Sequence, residues 1–387
     1  MKKRKILAFT SIRSDYDLMS NLYSLLNNDK DIDLKLLVSG AHMSETYGKS
    51  VELIEKDGFD ILLKIETLID SNSKQSRVKT ASILLQNSID IISQFNPDLI
   101  IYAGDREDVM IAAIIGGYLQ IPTVHFFGGD HVIDGHIDNP IRHATSKLSS
   151  GHLVSLEQHK QRMIKMGENP DRIFVIGSIS IDKFSKHKAV SKKEIKKKFN
   201  ITNGFDEFAI VIFHPLNSEM GQSHIYFENI LKTLKKMNIN AFVSYPNTDP
   251  GNRNIIEVTK KYSADPNFVF YKNLDRDTFL SVYKNSMLQV GNSSAGIVES
   301  ASVPLPVVNV GLRQVGRLSS GNVIYCNTGL KEIEAAISMA LSKEFLKKVK
   351  NTVNIYGDGK SSERAYEILK KTDFSAMLLK TEDPLTL

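Results

Sequence analysis

The 387-residue chain has one cysteine, Cys326, and no tryptophan. A lone thiol excludes an internal disulfide and fits a reducing cytosol. No apolar run approaches the roughly 20 residues needed to cross a bilayer, and the Lys-rich start leads straight into an apolar strand pattern, unlike a signal peptide. Charge is nearly balanced, with 49 basic and 44 acidic residues giving a net +5. No basic tract carries interleaved aromatics, so nucleic acid is not an expected partner. There is no Gly-x-Gly-x-x-Gly fingerprint and no His/Cys spacing of a standard metal site, so no motif points to a nicotinamide cofactor or a metal. His125, His131, His136 and His143 cluster in sequence, but not at zinc-ligand spacing.

What is present is an alternation of apolar strand-like and helical runs, which predicts parallel sheets with right-handed crossovers. The most informative stretch is Leu288-Gln289-Val290-Gly291-Asn292-Ser293-Ser294-Ala295-Gly296-Ile297-Val298-Glu299. An apolar run ends in small residues and a helix starts at once, which leaves backbone N–H groups unpaired at the positive end of a helix dipole, where phosphate binds. The bland reading of the same residues is an ordinary Asn/Ser-capped helix. Other apolar runs also end in polar groups: Lys5–Thr10 before Arg13 and Asp15, Leu99–Ala103 before Gly104-Asp105-Arg106, Ile210–Phe213 before His214, and Pro306–Val310 before Arg313. Carboxyl ends of parallel strands are where doubly wound folds bind ligands. Three arginines at such ends suggest an anion, because guanidinium pairs with phosphate through two parallel hydrogen bonds.

These segments resemble the hydrolysing UDP-N-acetylglucosamine 2-epimerases of sialic- and legionaminic-acid-type sugar biosynthesis. The matching pieces are Ser11-Ile12-Arg13-Ser14-Asp15-Tyr16, Val38-Ser39-Gly40-Ala41-His42-Met43, Gly104-Asp105-Arg106 and Gly128-Gly129-Asp130. Ile137-Asp138-Asn139-Pro140-Ile141-Arg142-His143, His214-Pro215, Gly291 to Glu299, and Gly311 to Arg317 follow in order. The resemblance runs from about residue 5 to 370 and implies a GT-B-like α/β fold, two Rossmann-like doubly wound domains facing a cleft. The expected boundaries are 1–183 and 190–355, with a helix at 356–375 packing back on the first domain and a frayed last dozen residues. The hydrophilic stretch Lys183 to Gly204 would be the crossing.

The resemblance also implies roles. Ser293 and Ser294 would contact a diphosphate, Glu299 the ribose, Arg313 the phosphate region, and Leu274 the base pocket. His214 would donate to a phosphate oxygen, or else be a capped core histidine. Arg13 and Arg106 would close over the diphosphate, with Asp15 beside them as a further substrate contact. Asp105 and Asp138 match acidic positions at the reacting sugar, with Asp130 a third candidate. His42 would either line that pocket or serve the structure. The implied partners are a UDP-sugar and further copies of the chain, as a homodimer or homotetramer.

One departure stands out. The family usually carries a glutamate two residues after the histidine of its His-x-x-Gly-Gly segment, and here that position is Phe127. A phenyl ring cannot transfer a proton, so Asp130, His131, Asp134 or His136 has taken over, or the substrate or reaction differs. Phe126 and Phe127 could line an aromatic pocket for a diacetamido-trideoxy sugar. The competing readings are another GT-B hydrolase or glycosyltransferase, and a non-catalytic nucleotide-sugar binder.

Overall fold

The structure is a computed structural model that describes residues 3–71, 73–133, 137–202, 204–219, 221–247, 249–272 and 274–385. Two compact units emerge. The first comprises Met1–Asp130, Ile137–Asp182 and Tyr356–Leu387, and the second His131–His136 and Lys183–Ile355. The short segment beginning at His131 thus groups with the second unit, where the Ile133 N–H donates to the Val315 carbonyl at 3.0 Å.

The first unit holds a seven-stranded parallel sheet: β1 (Arg4–Thr10), β2 (Ile32–Val38), β3 (Ile61–Lys64), β4 (Leu99–Ala103), β5 (Thr123–Phe126), β6 (Gly151–Val154) and β7 (Ile173–Val175). Its order is β3-β2-β1-β4-β5-β6-β7. The register sets Ile6 opposite Leu34 on one side and Leu99 on the other. Because strand side chains alternate in direction, Ile6 and Ala8 enter one core with Tyr16, Leu22 and Leu369, while Leu7 and Phe9 enter another with Leu84 and Ala112. Both faces of the sheet are therefore covered by helices, and that is why its strands read as continuous apolar runs.

The second unit holds six parallel strands: β8 (Phe208–Ile212), β9 (Asn240–Ser244), β10 (Phe268–Tyr271), β11 (Leu288–Gly291), β12 (Val307–Val310) and β13 (Val323–Cys326). Their order is β10-β9-β8-β11-β12-β13. In each sheet the winding reverses once, between β1 and β4 and between β8 and β11. At such a reversal the crossover helices diverge to opposite faces and leave a crevice at the carboxyl ends.

After residue 355 the chain returns to the first unit, and helix Ser361–Lys371 packs on helix Arg13–Asn27. Residues 377–382, expected from the sequence to be frayed, are anchored. Arg172 binds the Met377 and Leu379 carbonyls and pairs with Glu382, while Lys380 reaches Glu168 at 2.7 Å. Those interactions involve backbone carbonyls and a buried carboxylate, which composition does not reveal. Phe374 is fully buried and stands edge-on to Phe174 at 6.4 Å, against Gly151, where a Cβ would come within 2.7 Å of its ring. Phe374→Ala is expected to destabilise the protein by about 3–5 kcal/mol in chemical denaturation. A loss under about 1 kcal/mol would mean that the returning segment contributes little to the core.

Candidate active site

At the reversal of the second sheet, β8 ends beside β11. Gly291 has φ +142°, and a Cβ there would lie 2.1 Å from the Ile212 carbonyl oxygen, so the close approach of the two strand ends requires glycine. The next residue, Asn292, is almost fully buried and joins the two ends. Its Oδ1 accepts from the His214 N–H at 2.8 Å, and its Nδ2 donates to the His214 carbonyl at 2.8 Å. The Asn292 carbonyl in turn accepts from Arg313 Nη1 and Gln314 Nε2, each at 3.0 Å. One residue thereby brings His214, Arg313 and Gln314 together.

The Asn247 N–H donates to His214 Nδ1 at 3.1 Å. The neutral ring must then carry its proton on Nε2 and can donate from there. Burial, and secondarily the nearby Arg313 charge, push the imidazole pKa down to about 3, so it stays neutral. Ser293 caps the following helix, its Oγ accepting from the Ala295 N–H at 3.3 Å, and Ser294 is exposed on the first turn. That helix is a single short turn, Ser294–Val298, continued by a 3-10 turn, Ser300–Ser302. Glu299 is buried and paired with Lys183 at 3.0 Å. Leu274 is half-buried just before Asp275, which caps helix Arg276–Asn285.

At the reversal of the first sheet, the β1 end is locked by Asp15. Its carboxylate accepts from the Thr10 hydroxyl and from the Ser11 and Ile12 N–H groups, both at 3.0 Å. This closes the turn that carries Arg13, which lies 3.5 Å from Asp17. Across from it, β4 runs into Asp105 and Arg106, and Arg106 immediately precedes helix Glu107–Leu119. His125 holds that turn, its Nε2 within 2.8 Å of the Gly104 carbonyl and its Nδ1 within 3.0 Å of Ser146 Oγ.

The three candidate carboxyls of the first unit are each held beside a cation or histidine. Asp105 pairs with Arg142, whose buried guanidinium also binds the Asp130 carbonyl at 3.0 Å and Asn139 Oδ1 at 3.3 Å. Asp130 lies 3.6 Å from His159. Asp138 opens helix Asp138–Leu148 and lies 3.9 Å from Arg77, which binds Glu107 at 2.6 Å. Between these groups and Asp15, Asp108 is buried, and burial together with the Asp15 and Glu107 charges raises its carboxyl to about 7.

Comparison with known proteins gives this arrangement a family. Residues 24–370 match the family described as UDP-N-acetylglucosamine 2-epimerase. A protein of Legionella pneumophila named UDP-N,N'-diacetylbacillosamine 2-epimerase (hydrolysing) is 36% identical over 97% of this chain and 98% of its own length. A UDP-N-acetylglucosamine 2-epimerase of Neisseria meningitidis is 31% identical over 88% of each. Among solved structures, UDP-GlcNAc 2-epimerase from Neisseria meningitidis bound to UDP-GlcNAc superposes with a TM-score of 0.80 at 19% identity, covering 95% of this chain and all of that one. This chain belongs to the UDP-N-acetylglucosamine 2-epimerase family. Its fold is the two-domain GT-B-like α/β fold of those enzymes.

Some expectations for this epimerase-family chain change with the geometry. His42 is fully buried, with Nε2 2.9 Å from Thr10 Oγ1 and Nδ1 2.7 Å from Ser50 Oγ. Both ring nitrogens are thus engaged within the protein, and the residue braces the β1 loop. Phe126 is a core residue of the first sheet and so does not line a pocket, while Phe127 is partly buried against the same core. Phe127 holds φ +68°, uncommon for a bulky residue, while its N–H donates to the Leu153 carbonyl at 3.2 Å. Of the proton-transfer candidates near Phe127, Asp134 and His136 lie outside the described residues. Among the described residues, no cluster of three or more His, Cys, Asp or Glu side chains could hold a metal.

Sequence reasoning missed Asn292, Gln314, Asn247, Arg142, Arg77 and Lys183. Asn292 was visible in the motif but was taken as a helix-start residue. Gln314 and Arg142 lay inside quoted motifs without being given a role, whereas no local pattern marks Asn247, Arg77 or Lys183.

Asn292→Ala removes two bonds to part-buried backbone groups of His214 and is expected to cost about 2–4 kcal/mol in denaturant unfolding. An effect below about 0.5 kcal/mol would show that Asn292 does not hold the β8 and β11 ends together.

His125 gives a pH signature. Burial lowers its imidazole from 6.5 to about 3 in the folded protein, whereas the unfolded chain protonates near 6.5. Between those values the unfolded state binds more protons, so this contribution to stability is lost as pH falls from 6.5 towards 3. Asp108 acts in the opposite sense, favouring the folded state below 3.8 and losing that benefit as pH rises through about 7. The comparison is therefore between slopes. His125→Gln should lessen the fall of unfolding free energy with acid by up to about 1.4 kcal/mol per pH unit. Parallel curves for the two proteins would contradict a neutral buried His125.

Proposed function

We propose that the protein is a hydrolysing 2-epimerase that converts a UDP-2,4-diacetamido-trideoxyhexose into the free 2-epimeric sugar and UDP. The supporting observation is the division of chemistry between the two sheet reversals. The second sheet gathers hydrogen-bond donors, and the first gathers carboxyl groups beside cations. His214 Nε2–H, Arg313 and the Ser293 and Ser294 hydroxyls suit a diphosphate, with Leu274 at the base and Glu299 at the ribose. The Lys183 partner would fix the Glu299 carboxylate for that contact. Arg13 and Arg106 supply further positive charge, and Asp15 reaches the substrate only through the turn it closes.

The reaction breaks the C1–O bond, and its electron pair leaves on the diphosphate. Donors already aimed at the departing oxygens stabilise that charge, about 3–4 kcal/mol for a single such group. Asp138 takes the proton from C2, which yields a glycal, and Asp105 and Asp130 serve the re-addition. Water then adds its oxygen to C1, and a proton returns to C2 on the other face. The greater identity to the Legionella diacetylbacillosamine enzyme than to the Neisseria N-acetylglucosamine enzyme supports a diacetamido substrate. The single cysteine supports a cytoplasmic location, and the family resemblance supports a homodimer or homotetramer. No helix among the described residues is long and apolar enough to cross a membrane.

Incubation in deuterated water with UDP-N,N'-diacetylbacillosamine, and separately with UDP-GlcNAc, tests the reading. The expected outcome is UDP release with deuterium at C2 of the free sugar, and a larger kcat/KM for the diacetamido substrate. Protium at C2 would indicate simple hydrolysis, no UDP release a binder, and attachment of the sugar to an acceptor a transferase. A preference for UDP-GlcNAc would overturn the sugar and keep the reaction. Asp138→Asn is expected to lower kcat by about 10²- to 10⁴-fold, the usual contribution of a positioned base.

A further inference from the structure

Three helices of the first unit meet at one guanidinium. Helix Lys74–Phe95 packs on helix Glu107–Leu119, which packs on helix Asp138–Leu148. Arg77 projects from the first turn of the first helix. Its Nε and Nη2 both bind Glu107 Oε2, at 3.1 and 2.6 Å, and Nη2 lies 3.9 Å from Asp138 Oδ1. All three side chains are about one-quarter exposed, at 26%, 20% and 27%. Glu107 and Asp138 are the first residues of their helices. Fixing both to Arg77 therefore sets the two helix starts relative to each other. One of those starts directly follows Asp105 and Arg106, and the other begins with Asp138.

We propose that Arg77 is a positioning residue for the epimerisation: it orients the Asp138 carboxyl group and ties its helix start to the strand end that bears Asp105. This deepens the reading above and rests on Asp138 being the group that removes the C2 proton. The geometry distributes the cation unequally. Glu107 takes two hydrogen bonds and so fixes the guanidinium, and Asp138 stands close enough to feel its charge. A cation within about 4–6 Å favours the carboxylate over the carboxylic acid, and an ionised group is what a base requires. The charged groups facing Arg77 are Glu107 and Arg106 from the β4 junction and Asp138 from the following helix. The two carboxylates outweigh burial and the Arg106 charge, and the Arg77 pKa is raised. Arg77 lies outside every strand end, and nothing in its own sequence surroundings assigns it to the reaction.

The test uses the full-length protein and three variants. Arg77→Met should lower kcat by about ten- to a hundredfold while KM changes little, since misplacing a reacting group costs rate more than binding. The acidic limb of its kcat–pH profile should move to higher pH, because the base loses its neighbouring cation. Arg77→Lys should recover part of the rate and return the limb towards that of the parent. Glu107→Gln leaves the cation with one carboxylate fewer, so the limb should move the other way, to lower pH. Thermal stabilisation by UDP, measured alongside, reports that each variant is folded. A purely structural Arg77 would lower stability and active fraction without moving the limb, and that result overturns the proposal, as does an Arg77→Met enzyme with the parent's kcat and profile. If the parent itself placed no deuterium at C2, the functional reading would have failed, independently of Arg77.

Discussion

A parallel sheet covered on both faces has no room for a ligand along its strands, and only where the strand order reverses does a crevice open at the carboxyl edge. Both units of this protein meet that constraint once, between β1 and β4 and between β8 and β11. The polar residues that matter are those that hold the paired strand ends in place. Asn292 does this in the second unit by bonding both backbone groups of His214. In the first unit Asp15 closes one end, and His125 and Arg142 hold the other. Removing the glycine at 291 would push those ends apart, since no side chain fits beside the Ile212 carbonyl.

The two strand reversals gather different side chains. The second unit brings together donors, with a histidine held neutral by burial and an arginine anchored on a backbone carbonyl. Such groups are fixed before a ligand arrives, so they need not reorganise as negative charge develops. In the first unit Asp105 and Asp138 are each beside an arginine and Asp130 is beside a histidine, the means by which several acidic groups can share one region. Like charges would otherwise raise one another's pKa values, as Asp108 shows beside Asp15 and Glu107.

Much of this was legible in the sequence. Strands buried on both faces give unbroken apolar runs, so β1, β4, β8, β11 and β12 could be read directly, along with the polar residues at their ends. The positions of Ser293, Ser294 and Arg313 after strand ends were legible for the same reason. The Gly-Ala-His-Met segment was legible only as a choice between a pocket wall and a structural role, and His42 points into the protein between Thr10 and Ser50. Partners joined across long sequence separations were equally hidden. Arg142 reaches Asp105 and Lys183 reaches Glu299 through tertiary packing, which leaves no local spacing to detect. The anchoring of the C-terminal residues by Arg172 and Glu168 escaped for that reason too.

The central claim is that the sugar leaves a diphosphate held by the second sheet, so the bond broken is the one from carbon to oxygen. A single turnover of the UDP-sugar in water enriched in oxygen-18, followed by mass spectrometry of the released UDP, tests it directly. The account predicts UDP that carries no label. Label in the terminal phosphate would mean that water attacks phosphorus, and would contradict it.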